Sequence, residues 1–126
     1  MISIKSNSSD RELRFLSRKG DYIYIELIGN PSLSHSAYTY TDMDRLAKLF
    51  EEFAIIDKPW SGKKTWASIE GDFAMEITCS SLGHVQFEFR FRQKQGSDEE
   101  STTKVGLVTE LGNLPQISKQ AKGFFS

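Results

Sequence analysis

A chain of 126 residues with 38% hydrophobic and 12% aromatic content is long enough to bury roughly two-thirds of its unfolded surface, which predicts a single domain over residues 1–126 with no need of a covalent or metal staple. Sixteen basic against seventeen acidic side chains leave a formal net charge of -1, so no overall field draws the protein to nucleic acid or to an anionic membrane. The opening "MISIKSNSSDRELRF" has no signal-like apolar run, no stretch approaches the roughly eighteen apolar residues of a membrane span, and the single cysteine, Cys79, has no internal partner, so a soluble cytoplasmic protein with Cys79 packed in its core is expected.

Residues Ile2 to Ser6 form a short strand candidate, closed by the turn-forming run "NSSD". "RELRFLSRKGDYIYIELIG" reads as a hairpin turning at Lys19, Gly20 and Asp21. It pairs Phe15 with Ile25 and Leu13 with Leu27 on one face, with Tyr22, Tyr24 and Glu26 on the other. "NPSLSHSAYTY" reads as a loop. Thr41 with Asp44 resembles a capping arrangement, and a helix is predicted to follow with Met43, Leu46, Ala47, Phe50, Phe53 and Ala54 on one face.

"DKPWSGKK" interrupts the pattern with proline and glycine before the strands resume at Thr65. A two-residue turn at Gly71 and Asp72 aligns Trp66 with Ile77, Ser68 with Met75 and Glu70 with Phe73. A second turn, Ser80 to His84, aligns Cys79 with Val85, Ile77 with Phe87, Met75 with Phe89 and Phe73 with Phe91. These successive apolar pairs share one face, while Glu76, Thr78, Gln86, Glu88, Arg90 and Arg92 take a solvated one. "QKQGSDEES" reads as a polar, mobile connection and "TTKVGLVTEL" as a further strand. Asn113 is expected to cap a last helix with Leu114, Ile117, Ala121 and Phe124 on one side, Pro115 in its first turn, and Gly123 with the end of the chain stopping it. No internal repeat is visible. The predicted fold is α+β, a mostly antiparallel sheet of six or seven strands covered on one face by two helices.

Glu70, Asp72 and His84 would make an acid, base and ligand set if they met. The register opposes this, because the strand Phe73 to Cys79 separates the carboxylates from the histidine by roughly 20 Å at about 3.3 Å per residue. Asp72 and His84 are therefore read as turn residues. Glu70, placed beside Phe73 on the apolar face, requires a partner or a cleft. His35, His84 and Cys79 lack zinc-type spacing, and the isolated glycines form no phosphate or dinucleotide loop, so neither metal nor cofactor is predicted. Arg90, Arg92 and Lys94 beside aromatic residues could serve nucleic acid. Phe87, Phe89 and Phe91, however, alternate away from the arginines, and Glu76 and Glu88 weaken the field, so no nucleic-acid partner is predicted. Trp60, Tyr38 and Tyr40 sit in polar stretches at the two ends of the first helix. Such rings either fold back on the core or anchor a protein partner.

The residues Trp66, Ser68, Glu70, Gly71, Asp72 and the later Gly83, His84, Val85 resemble the pattern of a family of small bacterial proteins of unknown function, DUF6228, with Ile69 and Phe73 standing where that pattern has leucines. The resemblance covers the central third of the chain and is helped by Phe124 and Phe125 at its end. It implies kinship and transfers no catalytic or binding role. Two functions stay in view. The first is a non-catalytic protein-interaction module of antitoxin or immunity type, with Trp60, Tyr38 and Tyr40 as anchors. The second is a small-molecule-binding or enzymatic domain with Glu70 in a cleft between sheet and helix. The tyrosine-bearing face of the first hairpin is also a candidate dimer contact.

Overall fold

The computed structural model describes residues 1–95 and 99–126. Its strands are β1 (Ile2–Lys5), β2 (Glu12–Lys19), β3 (Tyr22–Ile28), β4 (Leu33–Tyr38), β5 (Lys64–Ala67), β6 (Phe73–Cys79), β7 (His84–Gln95) and β8 (Glu99–Glu110). Helix α1 (Met43–Glu52) follows β4 and helix α2 (Leu114–Phe125) follows β8, each entered through a short 3-10 turn. The class is α+β as expected. The eight strands, however, form two four-stranded antiparallel sheets, ordered β1-β2-β3-β4 and β5-β6-β7-β8, instead of one.

The β6–β7 pairing is the one the alternation predicts, with Phe73, Met75, Ile77 and Cys79 opposite Phe91, Phe89, Phe87 and Val85. The first hairpin also keeps Phe15 opposite Ile25 and Leu13 opposite Leu27. Its turn is tighter than expected, since Lys19 already pairs with Tyr22, and a bulge between Phe15 and Ser17 takes up the odd residue. β5 is offset by two residues from the predicted alignment, Trp66 facing Met75 instead of Ile77. A shift of two preserves the face, so Trp66 stays inside, but Ser68 and Glu70 leave the ladder for a wider turn.

β4 was expected to be loop. Its inward positions, Leu33, His35 and Ala37, pair with Leu27, Ile25 and Ile23, while Ser34 and Ser36 face out. β7 and β8 likewise extend into the segment expected to be a connection, and its centre, residues 96–98, lies outside the described residues.

Both sheets and both helices feed one apolar core. Phe15 of β2 meets Phe73 of β6 edge to face at 6.0 Å and Phe50 of α1 at 5.7 Å. Phe53, just past α1, meets Phe87 of β7 at 6.1 Å. Each of these five rings is fully buried, so burial of aromatic surface is what holds the sheets face to face. Leu49 joins Leu46, Phe50 and Phe53 on the buried face of α1, whereas Ala54 is exposed. Asn113 stands at the N-cap of α2 as expected, but neither helix has a side-chain cap bond. α1 begins at Met43 without a side-chain cap, and the Asn113 amide bonds the Thr109 hydroxyl at 2.8 Å instead of the helix backbone. α2 also runs through Gly123 to Phe125. Cys79 is only half buried, at the rim of the core.

The sheets are clasped along both sides. On one, Asn7 N–H donates to the Val108 carbonyl at 2.9 Å and the Arg11 guanidinium to the Gly106 carbonyl at 2.8 Å. On the other, β4 meets the turn between β5 and β6. No described helix is long and apolar enough to cross a membrane.

Candidate functional site

The turn from Ser68 to Asp72 is built from its own side chains. The buried Ser68 hydroxyl donates to the Asp72 carboxylate and accepts the Phe73 N–H at 3.2 Å, while Gly71, at φ 70°, supplies a backbone conformation costly for any other residue. Asp72 then joins the two sheets. Its carboxylate accepts the Tyr38 N–H at 3.4 Å, and its carbonyl accepts both the Arg92 N–H at 2.9 Å and a His35 ring nitrogen at 2.8 Å, the His35 ring standing edge-on to Phe91. The Arg92 guanidinium reaches over the same turn to the Glu70 carbonyl. Trp66, at the start of this motif, donates its indole N–H to the Asp42 carbonyl at 3.3 Å and so fixes the entry to α1. Of these residues Asp72 bonds across to β4, and Ser68 and Gly71 shape the turn that places it.

Glu70 is not on the apolar face beside Phe73, where the predicted register put it. The wider turn carries it to the surface. It lines an open cleft of about 510 Å³ with Ser34, His35 and Ser36 of β4, Asp72 of the turn, and Arg92 and Gln93 of β7. No helix residue lines that cleft, so the expected sheet–helix setting of Glu70 is corrected to one between two sheet edges. His84 stands at the other end of β6, exposed, with Nδ1 3.1 Å from the Glu110 carboxylate. The separation of His84 from Glu70 and Asp72 is as the register predicts.

Two of the predicted anchors meet and one does not. Tyr38 stacks on Tyr40 at 6.0 Å and an interplanar angle of 17°, and packs against Tyr22 at 5.3 Å. Tyr22 and Tyr38 are cross-strand partners, and Tyr24, two residues along β3, continues the same outer face. Tyr22, Tyr24 and Tyr40 are 43%, 38% and 56% exposed. Sequence reasoning placed Tyr22 and Tyr24 on the outer face but did not join them to Tyr38, because β4 read as loop. Partial burial pushes the Tyr38 hydroxyl pKa up, and the nearby Asp21 charge, the neighbouring tyrosines and Glu70 add to the shift. Trp60 lies apart, packed against the core beside Lys64, whose ammonium is 5.4 Å from the ring centre. Phe87, Phe89 and Phe91 are fully buried and offer no stacking platform beside the arginines. Among the described residues no cluster of three metal-ligating side chains occurs.

A family model described as a family of unknown function (DUF6228) matches residues 4–126. No curated protein and no solved structure matches the chain.

Proposed function

We propose, for a chain that belongs to the family of unknown function DUF6228, a protein-binding role whose contact surface is the face formed by Tyr22, Tyr24, Tyr38 and Tyr40. The observation that carries this reading is the partly exposed, mutually packed set of tyrosines on the outer face of β3 and β4. Tyrosine supplies a large apolar ring with a polar tip at low conformational cost, which is why it is enriched at binding hot spots. Trp60 is left out of the surface, since its ring is already spent on the core and Lys64. We place the protein in the bacterial cytoplasm, where the half-buried Cys79 thiol stays reduced. Within this reading the proposed role, by analogy of build, is that of an antitoxin- or immunity-type binder. The test is capture from native lysate by the immobilised protein and by a Tyr22→Ser, Tyr24→Ser variant, quantified by mass spectrometry. A partner retained by the first should fall by about tenfold or more on the second, the loss expected when a hot spot is removed. Equal retention by both, or retention of nothing, contradicts the proposal.

A second reading has one observation behind it, the cleft lined by Glu70. As a small-molecule site it predicts ligand-dependent thermal shifts in a metabolite screen that Glu70→Gln diminishes. Shifts unchanged by that substitution remove Glu70 from the site.

A further inference from the structure

In an antiparallel pair, residues whose backbone groups bond the neighbouring strand alternate with residues whose groups point away. Two bonds fix that alternation along β4. Thr39 N–H turns inward to the Asp21 carbonyl at 2.7 Å, whereas Tyr38 N–H turns outward to the Asp72 carboxylate at 3.4 Å. The odd-numbered residues therefore bond β3, and the N–H and C=O of Ser34 and Ser36 face away from the sheet. β4 is the last strand of its sheet, and among the described residues no hydrogen bond outside the β3 ladder reaches the backbone of Ser34 or Ser36. Both residues are exposed, with small side chains, and both line the cleft. At Tyr38 the Asp72 carboxylate already occupies the acceptor position that a pairing strand would otherwise fill.

We propose that an extended segment of a partner protein adds as a strand to the free edge of β4, pairing with Ser34 and Ser36 and setting a lysine or arginine against Glu70 and the Tyr22–Tyr38–Tyr40 cluster. This rests on the protein-binding reading and specifies its mode and the chemistry of the partner. Strand addition to an exposed edge takes its affinity from main-chain hydrogen bonds and its selectivity from alternate side chains. The choice of a basic residue follows from charge. Glu70 and Asp21 form no ion pair among the described residues. Arg92, the cleft's guanidinium, is drawn to the Glu70 carbonyl and lies 3.8 Å from Glu100. Both carboxylates, Asp21 and Glu70, are close enough to Tyr38 to disfavour its ionised form. An aromatic cluster flanked by unpaired carboxylates suits a cation that can lie on a ring face. A second copy of the chain fits less well, because β4 lies in a cleft walled by Arg92 and Gln93 that admits one strand more readily than another sheet's flush edge.

The probe is a short acetylated peptide of alternating threonine and valine with one central lysine. Its controls carry glutamate in place of lysine, or N-methyl groups on alternate amides. Backbone amide NMR should show shifts and slowed exchange at Ser34 and Ser36 with the lysine peptide. Binding should weaken by about tenfold with the glutamate peptide, the size of effect a desolvated cation–π contact with a nearby carboxylate can supply, and vanish on N-methylation. Ser36→Pro should abolish binding while leaving the melting temperature nearly unchanged, since proline is tolerated where the N–H faces outward, and Ser36→Thr should retain both. Unfolding of Ser36→Pro alone would contradict the alternation deduced for β4. Shifts confined to Tyr22, Tyr38 and Tyr40 would overturn strand addition and leave the tyrosine surface standing. Equal binding of the lysine and glutamate peptides would overturn the basic partner, and no shift with any peptide would overturn the inference outright. The lysate comparison of the tyrosine variant judges the broader reading separately.

Discussion

Tyr40 adopts a left-handed backbone, φ 38°, with its ring 56% exposed. Such a conformation costs a side-chain-bearing residue about 1–2 kcal/mol, and glycine tolerates it. A strained, exposed aromatic residue is better explained by what its ring touches than by stability. Tyr40→Gly should therefore match or exceed the parent in urea unfolding while weakening partner capture, and Tyr40→Ala should lose the ring without relieving the strain. Marked destabilisation by glycine but not alanine would show the conformation to be undemanding. Elsewhere, the Arg14 guanidinium 2.7 Å from Glu12 holds that carboxyl below its ordinary range, helped by the Ser3 hydroxyl and opposed by partial burial. A lowered folded pKa gives stability that is present above the ordinary carboxylate range and lost as pH falls through the folded value. Glu12→Gln should flatten that part of the acid limb of stability against pH, and an unchanged slope would show that the pair contributes nothing. At Trp60 a buried indole N–H has no partner among the described residues. Trp60→Phe, which removes that donor, should be neutral or stabilising in the same assay.

At the scale of elements, the β6–β7 hairpin was legible because its apolar residues alternate on both strands, and only one register buries them all. Phe89, fully buried, stacks near Phe73 and Phe87 at 6.2 and 5.9 Å. Phe89→Ala should cost about 3–5 kcal/mol, whereas His84→Ala, in an exposed turn, should stay within about 1 kcal/mol. The reverse order in urea unfolding would mean that this pairing is wrong. β4 was not legible, because an edge strand buries one face against a single neighbour. Only Ala37 among its inward residues is fully buried, and serines on the other face read as a turn. The β5–β6 turn failed for a different reason. Gly-Asp at its tip suggests a two-residue hairpin, but the Ser68 hydroxyl and Asp72 carboxylate stabilise a longer turn by bonding within it. Glu70 was misplaced for that reason alone.

Across the whole molecule the same order occurs twice, a four-stranded meander followed by a 3-10 turn and a helix, although the sequence shows no repeat. Neither meander can cover its own apolar face, and the two do so against each other with α1 and α2 completing the core. The turn from Trp66 to Asp72 braces one side of this assembly, and the tyrosine face and the β4 edge are the surface proposed for binding. Brace and surface should therefore separate experimentally. The decisive measurement compares urea unfolding and partner capture per folded molecule for Ser68→Ala and for Tyr22→Ser, Tyr24→Ser. Ser68→Ala, which strips the Phe73 N–H of its acceptor, should lose about 1–3 kcal/mol of stability and keep its capture, and the tyrosine variant should keep its stability and lose its capture. A Ser68→Ala protein of full stability that no longer captures the partner, beside a tyrosine variant that still does, would contradict the assignment of the motif to structure and the tyrosines to function.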